Sequence, residues 1–127
     1  MGSMPVVGEV LEKAKRAKEA SNRLSILDTE TKNRALLAMA DAILGGASEI
    51  LEANARDGAK AREDGATKAF IDRLTLNEKR IGEMAEGLRN LVSLPDPVGE
   101  VIASWTRPNG LRIEKVRVPL GVIGIIY

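Results

Sequence analysis

No residue of this 127-residue chain can act as a thiolate nucleophile or an imidazole base, because it contains neither cysteine nor histidine. A Ser-His triad and a zinc site built from Cys and His ligands are excluded with them. General acid or base work would fall to Asp, Glu, Lys or the terminal Tyr127. Three groupings carry enough polarity or special backbone to weigh. Asn54, Arg56, Asp57, Lys60 and Asp64 crowd into one helical stretch and read as its solvated face. Arg112, Lys115 and Arg117 could meet an anion, but read first as the wet side of a strand. Gly121 and Gly124 lie within an apolar run. They lack the third glycine and the strand-to-helix turn of a dinucleotide fingerprint, so they read as close backbone packing. The residues alone yield no catalytic group and no metal ligands.

Composition narrows the partners. The net charge is +1, from 19 basic and 18 acidic residues, which gives no electrostatic case for nucleic acid or an anionic membrane. Phe70, Trp105 and Tyr127 are the aromatic residues, too few for a base-stacking platform. With 44% hydrophobic residues the chain has material for a core in one domain, and no run approaches a membrane span. Met1-Gly2-Ser3-Met4 reads as an expression remnant, not a targeting segment. The lack of cysteine makes a cytoplasmic location the default.

The elements that would position any site follow from periodicity. Val7, Val10, Leu11, Ala14, Ala17, Ser21 and Leu24 form one stripe, predicting a helix from Pro5 to about Ser21. Asp28 or Thr29 should cap a second helix whose body, Arg34 to Leu44, is apolar almost all round and thus expected to be buried against several neighbours. Gly45-Gly46 should end it through a left-handed cap. A third helix should start at Ser48 and close at Gly65. Thr67 should cap a short helix bearing Phe70, Ile71 and Leu74. Thr75 to Glu78 has the form of a capping box for a fifth helix, striped by Ile81, Met84, Ala85, Leu88, Leu91 and Val92. Pro95 and Pro97 then switch the chain to extended structure.

A hairpin follows. Val101, Ala103 and Trp105 should share one face of its first strand. Pro108-Asn109-Gly110 predicts a three-residue loop with Gly110 left-handed. On the return strand Leu111 and Ile113 have one parity and Val116 and Val118 the other, so a bulge or strong twist is expected at Glu114-Lys115. Leu120, Val122, Ile123, Ile125 and Ile126 then read as a strand buried on both faces of a parallel sheet. Such a strand needs neighbours reached by long crossovers. The chemistry is therefore expected to lie beyond the end of this sequence.

Several separated runs, in order, resemble a known family. They are Leu94-Pro95-Asp96-Pro97-Val98-Gly99-Glu100-Val101, Trp105-Thr106-Arg107-Pro108-Asn109-Gly110-Leu111, and Val118-Pro119-Leu120-Gly121-Val122-Ile123-Gly124-Ile125-Ile126-Tyr127. Upstream, Glu52-Ala53-Asn54 with Asp57, and Asp72-Arg73-Leu74 with Arg80-Ile81, fit the same pattern. Together they resemble the gamma-glutamyl phosphate reductase (glutamate-5-semialdehyde dehydrogenase) branch of the aldehyde dehydrogenase superfamily. The likeness runs from about Val7 to Tyr127, roughly the first third of such an enzyme.

The resemblance implies an α/β fold, with N-terminal helices and a hairpin leading into the first strand of an aldehyde-dehydrogenase-like parallel sheet. Residues 1–97 would be the helical part of the cofactor-binding domain, 98–118 the hairpin of the oligomerisation region, and 119–127 the entering strand. The implied activity is NADPH-dependent reduction of L-glutamyl 5-phosphate to glutamate 5-semialdehyde, in proline biosynthesis. A cysteine attacks the acyl phosphate and hydride reduces the thioester. That cysteine would lie downstream, so no catalytic residue carries over. Ile126 and Tyr127 match positions that border the nicotinamide. The hairpin would make the enzyme a homo-oligomer. The competing class is a non-catalytic helical and hairpin module that only binds or assembles. It would have to cover Leu120 to Tyr127 with its own helices.

Overall fold

The computed structural model of the chain describes residues 6–126. Its elements are α1 (Val6–Leu24), α2 (Thr29–Gly45), α3 (Ala47–Glu63), α4 (Lys68–Leu74), α5 (Glu78–Val92), β1 (Val101–Thr106) and β2 (Arg112–Val116). Residues 30–95 form one compact unit; those up to Thr29 and those from Asp96 onward form the other. No helix among the described residues is long and apolar enough to cross a membrane.

In the helical unit the fully buried apolar side chains are Ala40 on α2 and Ile81 and Ala85 on α5. An Asp41–Arg89 ion pair at 3.0 Å joins the same two helices at the surface. The cleanest predicted stripe, on α5, thus supplies two of these three buried side chains. The expectation that α2 is buried all round is not met. Leu36 and Ile43 are half-buried, whereas Leu37, Met39 and Leu44 are exposed. One face of α2 is covered by its own unit, and its second apolar face is left open.

The helix ends differ from the sequence reading in several places. Gly45 and Gly46 have no positive φ. Gly46 is instead the N-cap of α3 at φ −92°, and its N–H donates to the Ala42 carbonyl at 2.9 Å. A Cβ there would lie 3.2 Å from that carbonyl oxygen, so what glycine relieves here is a tight approach and not a left-handed conformation. Nor does Thr75 cap α5. Its hydroxyl donates back to the Ile71 carbonyl at 2.7 Å, closing α4, and Asn77 takes the cap, its Oδ1 accepting from the Arg80 N–H at 2.8 Å. The capping box fails because the threonine hydroxyl is already bonded to the preceding helix. Ser48 does not start α3 either, because the helix already begins at Ala47 behind Gly46 with no side-chain cap. Thr67 and Gly65 act as expected: Thr67 Oγ1 accepts from the Phe70 N–H, and Gly65 closes α3 at φ +78°. The Ala66 N–H to Ala61 carbonyl bond and the Gly65 N–H to Arg62 carbonyl bond give α3 a Schellman end.

In the other unit β1 and β2 pair antiparallel. The turn is as the sequence predicts: the Gly110 N–H donates to the Arg107 carbonyl at 2.9 Å, with Gly110 at φ +83°. The irregularity lies on the opposite strand from the one expected. Trp105 pairs with Ile113 and Ala103 with Lys115, but Val101 pairs with Val116, so the bulge falls at Val101–Ile102. In such a bulge two residues oppose one and share its face. Val101 therefore lies on the face of Val116, not with Ala103 and Trp105. The parity switch read in β2 is real; the extra residue that accommodates it belongs to β1.

Leu120 to Ile126 do not form the expected buried strand. They carry no regular secondary structure, and Leu120 is 89% exposed. A parallel strand exists only through hydrogen bonds to neighbouring strands, and the sheet among the described residues has two strands, β1 and β2. Helix α1 reaches Leu24, one turn past the expected end, and leaves Val10, Leu11 and Leu24 exposed. It does not pack on the hairpin of its own unit.

Ile81→Ala should lower the stability of the helical unit by roughly 2–5 kcal/mol, since it empties a fully buried site. Leu36→Ala should cost less, and the exposed Lys15→Ala should stay within about 0.5 kcal/mol. Equal midpoints for all three in urea would show that α5 is not the core of this unit.

Candidate functional site

The polar cluster on α3 separates into one structural residue and a wet remainder. Asn54 is not part of the solvated face. Its Nδ2 donates to the Leu74 carbonyl at 2.8 Å, and its Oδ1 accepts from the Leu76 N–H at 2.7 Å. Leu74 ends α4 and Leu76 lies in the stretch leading to α5, so the amide bridges the last residue of one helix and the approach to the next. Arg80 closes the same corner from the other side, its Nη1 donating to the Asp72 and Thr75 carbonyls and its Nη2 lying 3.5 Å from Asp72 Oδ2. Arg56 is occupied by Glu52 at 2.7 Å on the open surface. A shallow groove of about 220 Å³ beside the clamp is lined by Leu51, Gly58, Arg62 and Leu76 among others. Both polar atoms of the Asn54 amide are already bonded to the chain itself, so Asn54 serves the fold of this corner. A signal for Asn54 was present. It follows Leu51 by three residues and precedes the buried Gly58 by four, which places it on the inward stripe of α3.

Of the hairpin's basic residues, Arg112 and Arg117 are answered by carboxylates. Arg112 Nη2 meets Glu114 Oε1 at 2.5 Å, and Arg117 Nε meets Glu100 Oε2 at 2.7 Å. The Arg117 N–H also donates to the Glu100 carbonyl, and the Gly99 N–H to the Arg117 carbonyl, each at 2.9 Å, so this pair closes the open end of the ribbon. These contacts leave Arg112 and Arg117 poorly placed to hold an anion. What the hairpin presents is apolar. Trp105 is 46% exposed, and Val101, Ile102, Leu111 and Val116 are exposed as well.

Ile126 is fully exposed, and Tyr127 lies outside the described residues. Gly121 sits at φ +89° in a segment without a strand-to-helix turn. No group of three or more His, Cys, Asp or Glu residues that could hold a metal occurs among the described residues.

Among the described residues, five helices followed by an antiparallel hairpin make an α/β fragment. In particular, the chain is similar to the N-terminal part of gamma-glutamyl phosphate reductase. It is 60% identical over 124 residues to the gamma-glutamyl phosphate reductase of Moorella thermoacetica, matching 98% of this chain and 30% of that protein. The solved structure of the Thermotoga maritima gamma-glutamyl phosphate reductase superposes with a TM-score of 0.84 at 50% identity, over 87% of this chain and 27% of that one. The Saccharomyces cerevisiae gamma-glutamyl phosphate reductase gives 0.78 at 30% identity, over 92% and 29%. The chain thus spans about 30% of the length of the relatives it matches. No family model matches it. The resemblance read from the separated motifs is borne out.

Asn54→Ala strips partners from two backbone groups at a half-buried corner and should cost roughly 1–3 kcal/mol. Arg56→Ala, which breaks an exposed pair, should change stability by less than about 1 kcal/mol. Amide hydrogen exchange provides a local readout. The Leu76 N–H should lose protection in the Asn54 variant, and unchanged protection there would show that the clamp is dispensable.

Proposed function

We propose that this chain is the N-terminal portion of a cytoplasmic NADPH-dependent reductase. The enzyme converts L-glutamyl 5-phosphate to L-glutamate 5-semialdehyde and phosphate, in proline biosynthesis. The observation that carries this reading is a match running through nearly the whole chain, helices and hairpin together, to proteins named for that activity. Residues 1–97 act as the helical part of the cofactor-binding domain, 98–118 as the hairpin of the oligomerisation region, and 119–127 as the strand entering the sheet. Ile126 and Tyr127 border the nicotinamide once neighbouring strands and the following loop complete the site. The chain itself contributes no nucleophile, since it has no cysteine. Its part in the reaction is to build walls and contacts. The substrate is a small acyl phosphate, and the protein partner is a second copy of the enzyme, met through the hairpin.

The apolar residues of the ribbon support that assembly role. A two-stranded hairpin is marginal alone in water, so its exposed apolar residues need a covering body. Symmetric association places the same patch on both partners.

Two measurements test the reading. The purified 127-residue chain, given NADPH and glutamyl 5-phosphate, should oxidise no NADPH above background; clear turnover would place a nucleophile-independent activity in this chain and sink the proposal. In a full-length reductase carrying this sequence, Trp105→Glu with Val101→Glu should reduce the mass seen by light scattering to that of a smaller species. A folded variant that keeps the wild-type mass removes the hairpin from the interface, as does a wild type that is itself monomeric.

A further inference from the structure

We draw no further inference here: the strongest candidate, the two offset apolar half-faces of the β1–β2 hairpin (Trp105 with Ile113 towards the turn, Val101 and Ile102 with Val116 towards the open end), belongs to the assembly surface already proposed, and nothing in the structure shows what covers its second half.

Discussion

The helical unit turns on one half-buried amide. A reversal between two helices leaves the last carbonyls of one and the first N–H groups of the next without helical partners. Between α4 and α5 a handful of residues must satisfy both sets. Asn54 reaches in from α3 with a donor and an acceptor and bonds the Leu74 carbonyl and the Leu76 N–H. Arg80 reaches back from α5 to carbonyls on the α4 side. Three helices are thereby fixed to one another by polar bonds at a place where little apolar area is buried. The helix contacts of the unit agree with this, since α3 is the helix that meets both α4 and α5.

Apolar burial, by contrast, is thin. Ala40, Ile81 and Ala85 are small or medium side chains, and they are the buried apolar residues among those described. Leu37, Met39 and Leu44 on α2, and Met84 and Leu91 on α5, are left in solvent. Burial of apolar surface contributes on the order of 25 cal/mol per Å², so each such face is stabilisation not yet realised. The relatives are about three times as long as the matched stretch.

How much was legible follows the range of the interactions. Local rules located all five helices and the hairpin, because stripes, caps and proline stops act within a few residues. Thr67, Gly65 and the Pro108-Asn109-Gly110 turn read correctly for that reason. The misreadings each involve a competitor that a local pattern does not contain. Thr75 looked like an N-cap until its hydroxyl was spent on Ile71, and Gly45-Gly46 looked like a left-handed cap where the real constraint is the approach of Ala42. Asn54 reads as a surface residue in the local pattern because its partners lie 20 and 22 residues away. The family motifs nonetheless include Asn54 and Arg80, the two residues of the clamp. The resemblance pointed at them without saying what they do.

The hairpin shows the same limit in reverse, because there the pattern was right and the location wrong. A parity switch in β2 requires one strand to gain a residue, and sequence alone does not say which. Placing it at Val101–Ile102 leaves β2 regular from Arg112 to Val116 and keeps Trp105 opposite Ile113. It also turns Val101 onto the face of Val116. The ribbon is consequently apolar on one side near its turn and on the other near its base. A body packed flat against one face would cover only half of these residues. Where Gly99 and Glu100 clamp Arg117 at the open end by one backbone bond each and an ion pair, the change of face is held in place instead of fraying. The bulge is thus what sets the direction in which each half of the hairpin offers its apolar side chains.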